Sequence, residues 1–158
     1  MSNWSVALKC ALALPLAAVG SVFGAGGYLV LFFCAAALID WLTGTMKAMK
    51  SGNWTSSTAR EGLWHKTGEF ISLLVAGGID LMLYYISVSV PSMDFSYKSC
   101  LLPVVCVWYI CTELGSILEN VGQLGAPIPK FLCRMIEVLR AQVDTAAEED
   151  TQEVRIEK

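Results

Sequence analysis

Charge is what this sequence has least of. Asp, Glu, Lys and Arg make up 16% of its 158 residues, where a soluble domain carries about 25%. Histidine occurs once, at His65. The six cysteines (Cys10, Cys34, Cys100, Cys106, Cys111 and Cys133) form no Cys-x-x-Cys pair, and no histidine stands at zinc spacing from any of them. There is no Gly-x-Ser-x-Gly, no His-Glu-x-x-His and no phosphate-binding glycine loop. Glu113 and Glu119 are six residues apart, so on a helix they point about 120° apart and do not converge as a catalytic pair. A basic stripe of the kind that grips nucleic acid is also missing. These absences argue against an enzyme, a metal site, a bound cofactor and a nucleic-acid partner. His65 reads as a solvated loop residue, and the cysteines as small hydrophobes inside apolar runs.

What is abundant is apolar surface, at 55% of residues and a mean hydropathy of +0.56. A 17.2 kDa globule has too little interior to hide that much from water. Disorder is excluded as well, because it needs low hydrophobicity. The solvent for most of this chain is expected to be lipid.

Cys10 to Ile39 is a run of 30 residues without a charge. As one helix it would span about 45 Å, against a hydrocarbon core of about 30 Å. The cluster Gly24-Ala25-Gly26-Gly27 suggests a break. That gives a first segment over roughly Ser5–Phe23, which crosses, re-enters or lies in the interface, and a span over Tyr28–Met46. The run is too long for the core of a cleaved signal. A polar stretch, Lys47 to Lys66, precedes a second span near Thr67–Val88. A short connection with Pro91 then leads to a third near Ser99–Leu118. Beyond it, Phe131, Leu132, Met135, Ile136, Leu139 and Val143 recur at helical spacing, with Arg134, Glu137 and Arg140 off the stripe. This helix suits the inner membrane surface or a partner subunit.

The fold expected is therefore an all-α integral membrane protein. It has three to four transmembrane helices and a C-terminal amphipathic helix. Residues 1–27 form the opening helix and glycine break, 28–120 the transmembrane core, and 121–143 a turn and amphipathic helix. Residues 144–158 hold six acids against Arg155 and Lys158 and are expected to be a mobile tail. Lys47, Lys50, Arg60 and Lys66 lie two spans away from Lys130, Arg134 and Arg140, so both basic flanks, and with them the C-terminus, can face the cytoplasm.

Each confident span carries one acid: Asp40, Asp80 and Glu113. Such groups are costly in lipid and rarely lack a reason. Ala36, Asp40, Thr43, Gly44 and Lys47 share one helical face. So do Glu69, Ser72, Ala76, Asp80 and Ser87, and so do Cys106, Tyr109, Glu113, Ser116 and Asn120. The stripes admit two readings. One is static packing inside a monomeric bundle. The other is a water-tolerant surface between subunits, which three or four helices could build only as an oligomer.

Asp40-Trp41-Leu42-Thr43-Gly44 followed by Lys47-Ala48 resembles the D-x-x-T-G-x-x-K-A signature of the toxin-secretion and phage-lysis holins (phage holin 4 type). Ser56-Ser57, Gly62-Leu63 and Lys66 continue it. Glu113 to Asn120 is similar to the family's E-x-x-S-I-x-E-N block, and Gly125-Ala126-Pro127-Ile128-Pro129 to its G-x-P-I-P turn. The resemblance covers about residues 28–140. It implies a multi-pass protein of the bacterial cytoplasmic membrane, from phage or prophage. Such a protein oligomerises into lesions at a set time, dissipates the membrane potential and releases an endolysin or toxin without needing to touch it. It further implies that Asp40, Thr43, Gly44, Lys47, Asp80, Glu113, Ser116, Glu119 and Asn120 line a pore or helix interface, with Asp40 and Lys47 as an intra-helix or inter-subunit pair, and that Gly125, Pro127 and Pro129 make a turn. A small proton-coupled transporter and a non-conducting membrane scaffold are the rival readings.

Overall fold

The computed structural model describes the backbone of residues 3–90 and 101–156, and the side chains of residues 27–90 and 101–148. Four helices follow one another: α1 (Asn3–Lys50), α2 (Ser56–Ser89), α3 (Leu101–Gln123) and α4 (Lys130–Ile156). Among the described residues no strand occurs. Three stretches are long and apolar enough to cross a membrane: Gly27–Lys50, Ser56–Ser89 and Leu101–Gln123.

The helix ends follow from local chemistry. After α1, Gly52 adopts φ +71°, a conformation that costs glycine little. Its amide donates to Met49 O, and that of Asn53 to Ala48 O at 3.0 Å. This is a Schellman closure, which satisfies carbonyls the helix leaves open. The end of α3 repeats it, with Gly125 at φ +98° and Ala126 N donating to Val121 O. At the start of α2, Thr55 is the N-cap and its hydroxyl accepts from Thr58 N at 3.2 Å. Pro103 sits in the first turn of α3, where its missing N–H costs little.

Three boundaries differ from expectation. The backbone of α1 stays helical through Gly24–Gly27. Glycine weakens a helix by about 1 kcal/mol but does not forbid it, and apolar surroundings punish every unpaired backbone group. The polar stretch 47–66 is mostly helix, and only residues 51–55 link α1 to α2. His65 thus stands in α2 rather than in a loop. The amphipathic helix runs on to Ile156 through the alanine- and glutamate-rich tail, good helix-forming residues that carry it past the end of the apolar stripe. The connection with Pro91, Asp94 and Lys98 lies outside the described residues.

α1 and α3 run parallel and pack most extensively, while α1 and α2 touch least. α2 lies antiparallel to both. Phe33, Ala37, Leu73, Cys106 and Ile110 form the core, where Phe33 meets Phe70 edge-on at 5.1 Å between centroids. The distribution of polarity is inverted relative to a water-soluble protein. Glu69, Asp80, Glu113 and Asn120 are buried, whereas Leu74 is 75% and Leu81 68% exposed. Water would reject that surface and lipid accepts it.

Leu81→Arg, at the centre of the apolar part of α2, is expected to add roughly 2.5–3.5 kcal/mol to insertion. Carbonate extraction of membranes should show a smaller integrated fraction than for the unaltered chain.

Candidate functional site, an ion-paired helix interface

The inward faces of the three spanning helices converge on one ammonium group. Lys66 of α2 reaches Asp40 of α1, with Nζ 2.9 Å from Oδ2. It donates to both carboxylate oxygens of Glu113 on α3. Glu69, one turn further along α2, places Oε2 3.7 Å from the same nitrogen. Exposure is 14% for the Lys66 side chain, 15% for Asp40, 4% for Glu69 and 1% for Glu113. Three carboxylates therefore face one ammonium in a largely dry setting. His65, mostly exposed, closes the other side of Glu69, with Nδ1 3.0 Å from Oε1.

Asn120 ties the cluster to the α1–α3 seam. Its Nδ2 donates to Asp40 Oδ1 at 3.0 Å and lies 3.4 Å from Thr43 Oγ1. The Thr43 hydroxyl gives its own proton to a backbone acceptor, with Ile39 O at 2.9 Å and Asp40 O at 3.0 Å. It can then accept from Asn120. At Gly44 an added Cβ would meet Asn120 Nδ2 at 3.5 Å, an ordinary contact distance, so Gly44 faces α3 without being crowded by it.

Lys47, Ser116 and Glu119 fall beside this cluster, lining a cleft of about 420 Å³ that Asp40, Lys66 and Asn120 also line. Within the chain, Asp40 does not pair with Lys47. Seven residues along a helix separate the two by a rise of about 10 Å, and Lys66 takes the place of Lys47. Asp80 stands apart from the cluster and accepts from the first amides of α3, Leu101 N at 3.2 Å and Leu102 N at 2.9 Å. It completes a helix start from a neighbouring helix, relieving donors that no turn of α3 can reach. At the opposite end Lys50 Nζ donates to Leu124 O at 2.6 Å, a cation on the open carbonyls of α3. Gly125 then turns the chain into Pro127 and Pro129.

Sequence reasoning missed the hub. Lys66 was read as a loop charge and a motif element, and Glu69 as one member of a stripe. Their i, i+3 spacing at the edge of the apolar part of α2 was the available signal.

The profile of the bacteriophage holin family matches residues 17–141. The chain belongs to that family. A probable holin of Bacillus phage phi105 is 30% identical over 115 residues, which are 73% of this chain and 76% of that one. An uncharacterised protein of Halalkalibacterium halodurans is 31% identical over 84% of this chain and 93% of its own. One from Clostridium perfringens is 30% identical over 75% of this chain and 79% of its own. No solved structure matches the chain. As a holin-family chain with three apolar helices it is a membrane protein, and membership goes with a role that is not enzymatic.

Lys66→Ala strands Asp40 and Glu113 without their cation. Removing one partner of a buried ion pair costs roughly 3–5 kcal/mol. Unfolding in detergent micelles should show a loss of that order. Adding Asp40→Asn and Glu113→Gln removes the stranded charges and should recover most of it.

Proposed function

We propose that the chain is a working holin. It accumulates in the cytoplasmic membrane of a bacterial host, assembles with copies of itself, and opens lesions that dissipate the membrane potential. An endolysin, or in some settings a toxin, then crosses without needing to bind the assembly. Membership in the holin family, with a probable phage holin among its relatives, carries this reading.

The buried polar faces support a mechanism. In one packing Asp40 and Glu113 are paired with Lys66 within a single chain, and Asp40 also accepts from Asn120. In the other, the same groups face water or a neighbouring copy while the apolar faces stay in lipid. Two packings a few kcal/mol apart make a switch that copy number can tip. α2 is the element to move, because it touches α1 least and its inner end is held to the α1–α3 pair by one ammonium. Lys47, Ser116 and Glu119 would extend the water-lined surface from the cleft, and Thr43 and Gly44 would face α3 across the α1–α3 seam. Residues 28–120 would be the membrane core, and the basic flanks support a cytoplasmic C-terminus.

Induction in bacteria is expected to leave growth unchanged for a set interval and then depolarise the membrane abruptly, with added endolysin clearing the culture. Saturable substrate movement without loss of viability would instead mean a transporter, and an intact potential a scaffold. Asp40→Ala is expected to shift the moment of lysis without preventing insertion. An unchanged moment at equal expression removes Asp40 from the mechanism.

A further inference from the structure

Helix α4 occupies a position that a bilayer would not tolerate. It folds back along α3 and, among the described residues, touches no other helix. Trp108 Nε1 donates to Asp144 Oδ1 at 2.7 Å, and the Arg140 guanidinium lies 4.6 Å from the centre of the Trp108 ring. Trp108 is 15 residues before Gln123, the end of α3, a rise of about 22 Å. A hydrocarbon core is about 30 Å thick. With α3 crossing it, the docked α4 carries Arg140 and Asp144 towards its middle on the lipid side, where charged groups are costliest. On the face of α4 turned away from α3, Phe131, Met135, Val138 and Leu139 are all exposed, an apolar surface that suits acyl chains without needing Arg140 and Asp144 at that depth.

The charge burial is relieved in another position. Residues 130–143 carry Lys130, Arg134 and Arg140 against Glu137 alone. Arg134 and Arg140 lie off the apolar stripe, which is the pattern of a helix lying in a membrane surface. The pivot is present. α3 is closed by the bond from Ala126 N to Val121 O, and α4 opens with Leu132 N to Pro129 O. Pro127 and Pro129 have no N–H and fix their own φ, so a change of direction falls on the remaining torsions of residues 126–129 and breaks neither closing bond.

We propose that α4 leaves Trp108 and lies along the bilayer surface at the α3 C-terminal end. There Lys130, Arg134 and Arg140 bind anionic lipid headgroups, and Phe131, Met135, Val138 and Leu139 sink among the acyl chains. The acidic half from Asp144 onward, repelled by the same headgroups, stays off the surface. The proposal rests on α3 crossing the membrane and is separable from lesion formation.

The test uses the full, unaltered chain in bicelles of phosphatidylcholine with or without phosphatidylglycerol, where both faces are open to protease. Tryptic cleavage after Lys130, Arg134 and Arg140 is expected to slow about tenfold or more with phosphatidylglycerol, and to recover in high salt. Equal rates in the two lipids overturn the proposal. A nitroxide at Val138→Cys, in a chain whose native cysteines are replaced by Ala, reads depth directly. It is expected about 5–10 Å into the headgroup and acyl boundary, and to move out to water in the Lys130→Gln, Arg134→Gln, Arg140→Gln variant. A depth that ignores those substitutions, with label–label broadening that grows with protein density, assigns α4 to a second copy and overturns it too. Flotation with vesicles tests the crossing separately. A chain that fails to float removes the premise, whereas one that floats with α4 still on Trp108 removes this inference alone.

Discussion

The ammonium of Lys66 is the point at which three helices are made into one unit. It bridges a carboxylate of α1 and one of α3 from the N-terminal half of α2. None of the three charges would be tolerable alone in an apolar setting. Each helix therefore requires the other two, and the requirement is specific, since slipping one helix by a turn would separate the charges by about 5 Å. A buried ion pair is weak evidence for net stability, because desolvation offsets much of its Coulombic gain. Its value here is registry. It sets which residues of α1, α2 and α3 stand at one level, and the Phe33, Leu73 and Cys106 layer two turns away follows from that alignment.

The packing is uneven in a way that fits the two arrangements proposed above. α1 and α3 are joined by the core cluster, by Asn120 against Asp40, and by Lys50 on the last carbonyls of α3. α2 leans on that pair through Lys66, through Phe70 and Leu73, and through Asp80. Polar contacts can be exchanged for water or for an equivalent group on a neighbour with little net change, whereas a packed apolar seam cannot. The parallel α1–α3 pair is thus the durable part of the fold, and α2 the part whose attachments can be remade.

Much of this was legible in the sequence, for physical reasons that differ from part to part. The three spanning stretches were visible because apolar runs of that length have one stable solution in lipid. The polar stripes and the C-terminal helix followed from a 3.6-residue period. Gly125 and the two prolines announced the turn after α3. Which stripe residue meets which could not be read, because pairing is fixed by crossing geometry and not by spacing along one helix. Asp40 was assigned to Lys47 for want of that geometry. The α2 start was set too late because Arg60, Glu61 and His65 lower hydropathy without lowering helix propensity. The glycine cluster misled in the opposite sense, since a local cost was weighed without the apolar surroundings that outweigh it.

The bond from Asp80 to the first amides of α3 has a bearing on how the chain enters a membrane at all. Left alone in hydrocarbon, the leading end of α3 would offer bare N–H groups, and the C-terminal part of α2 a bare carboxylate. Each defect opposes entry of its own helix, and the bond between them relieves both at once. The two helices are thus matched to enter lipid as partners.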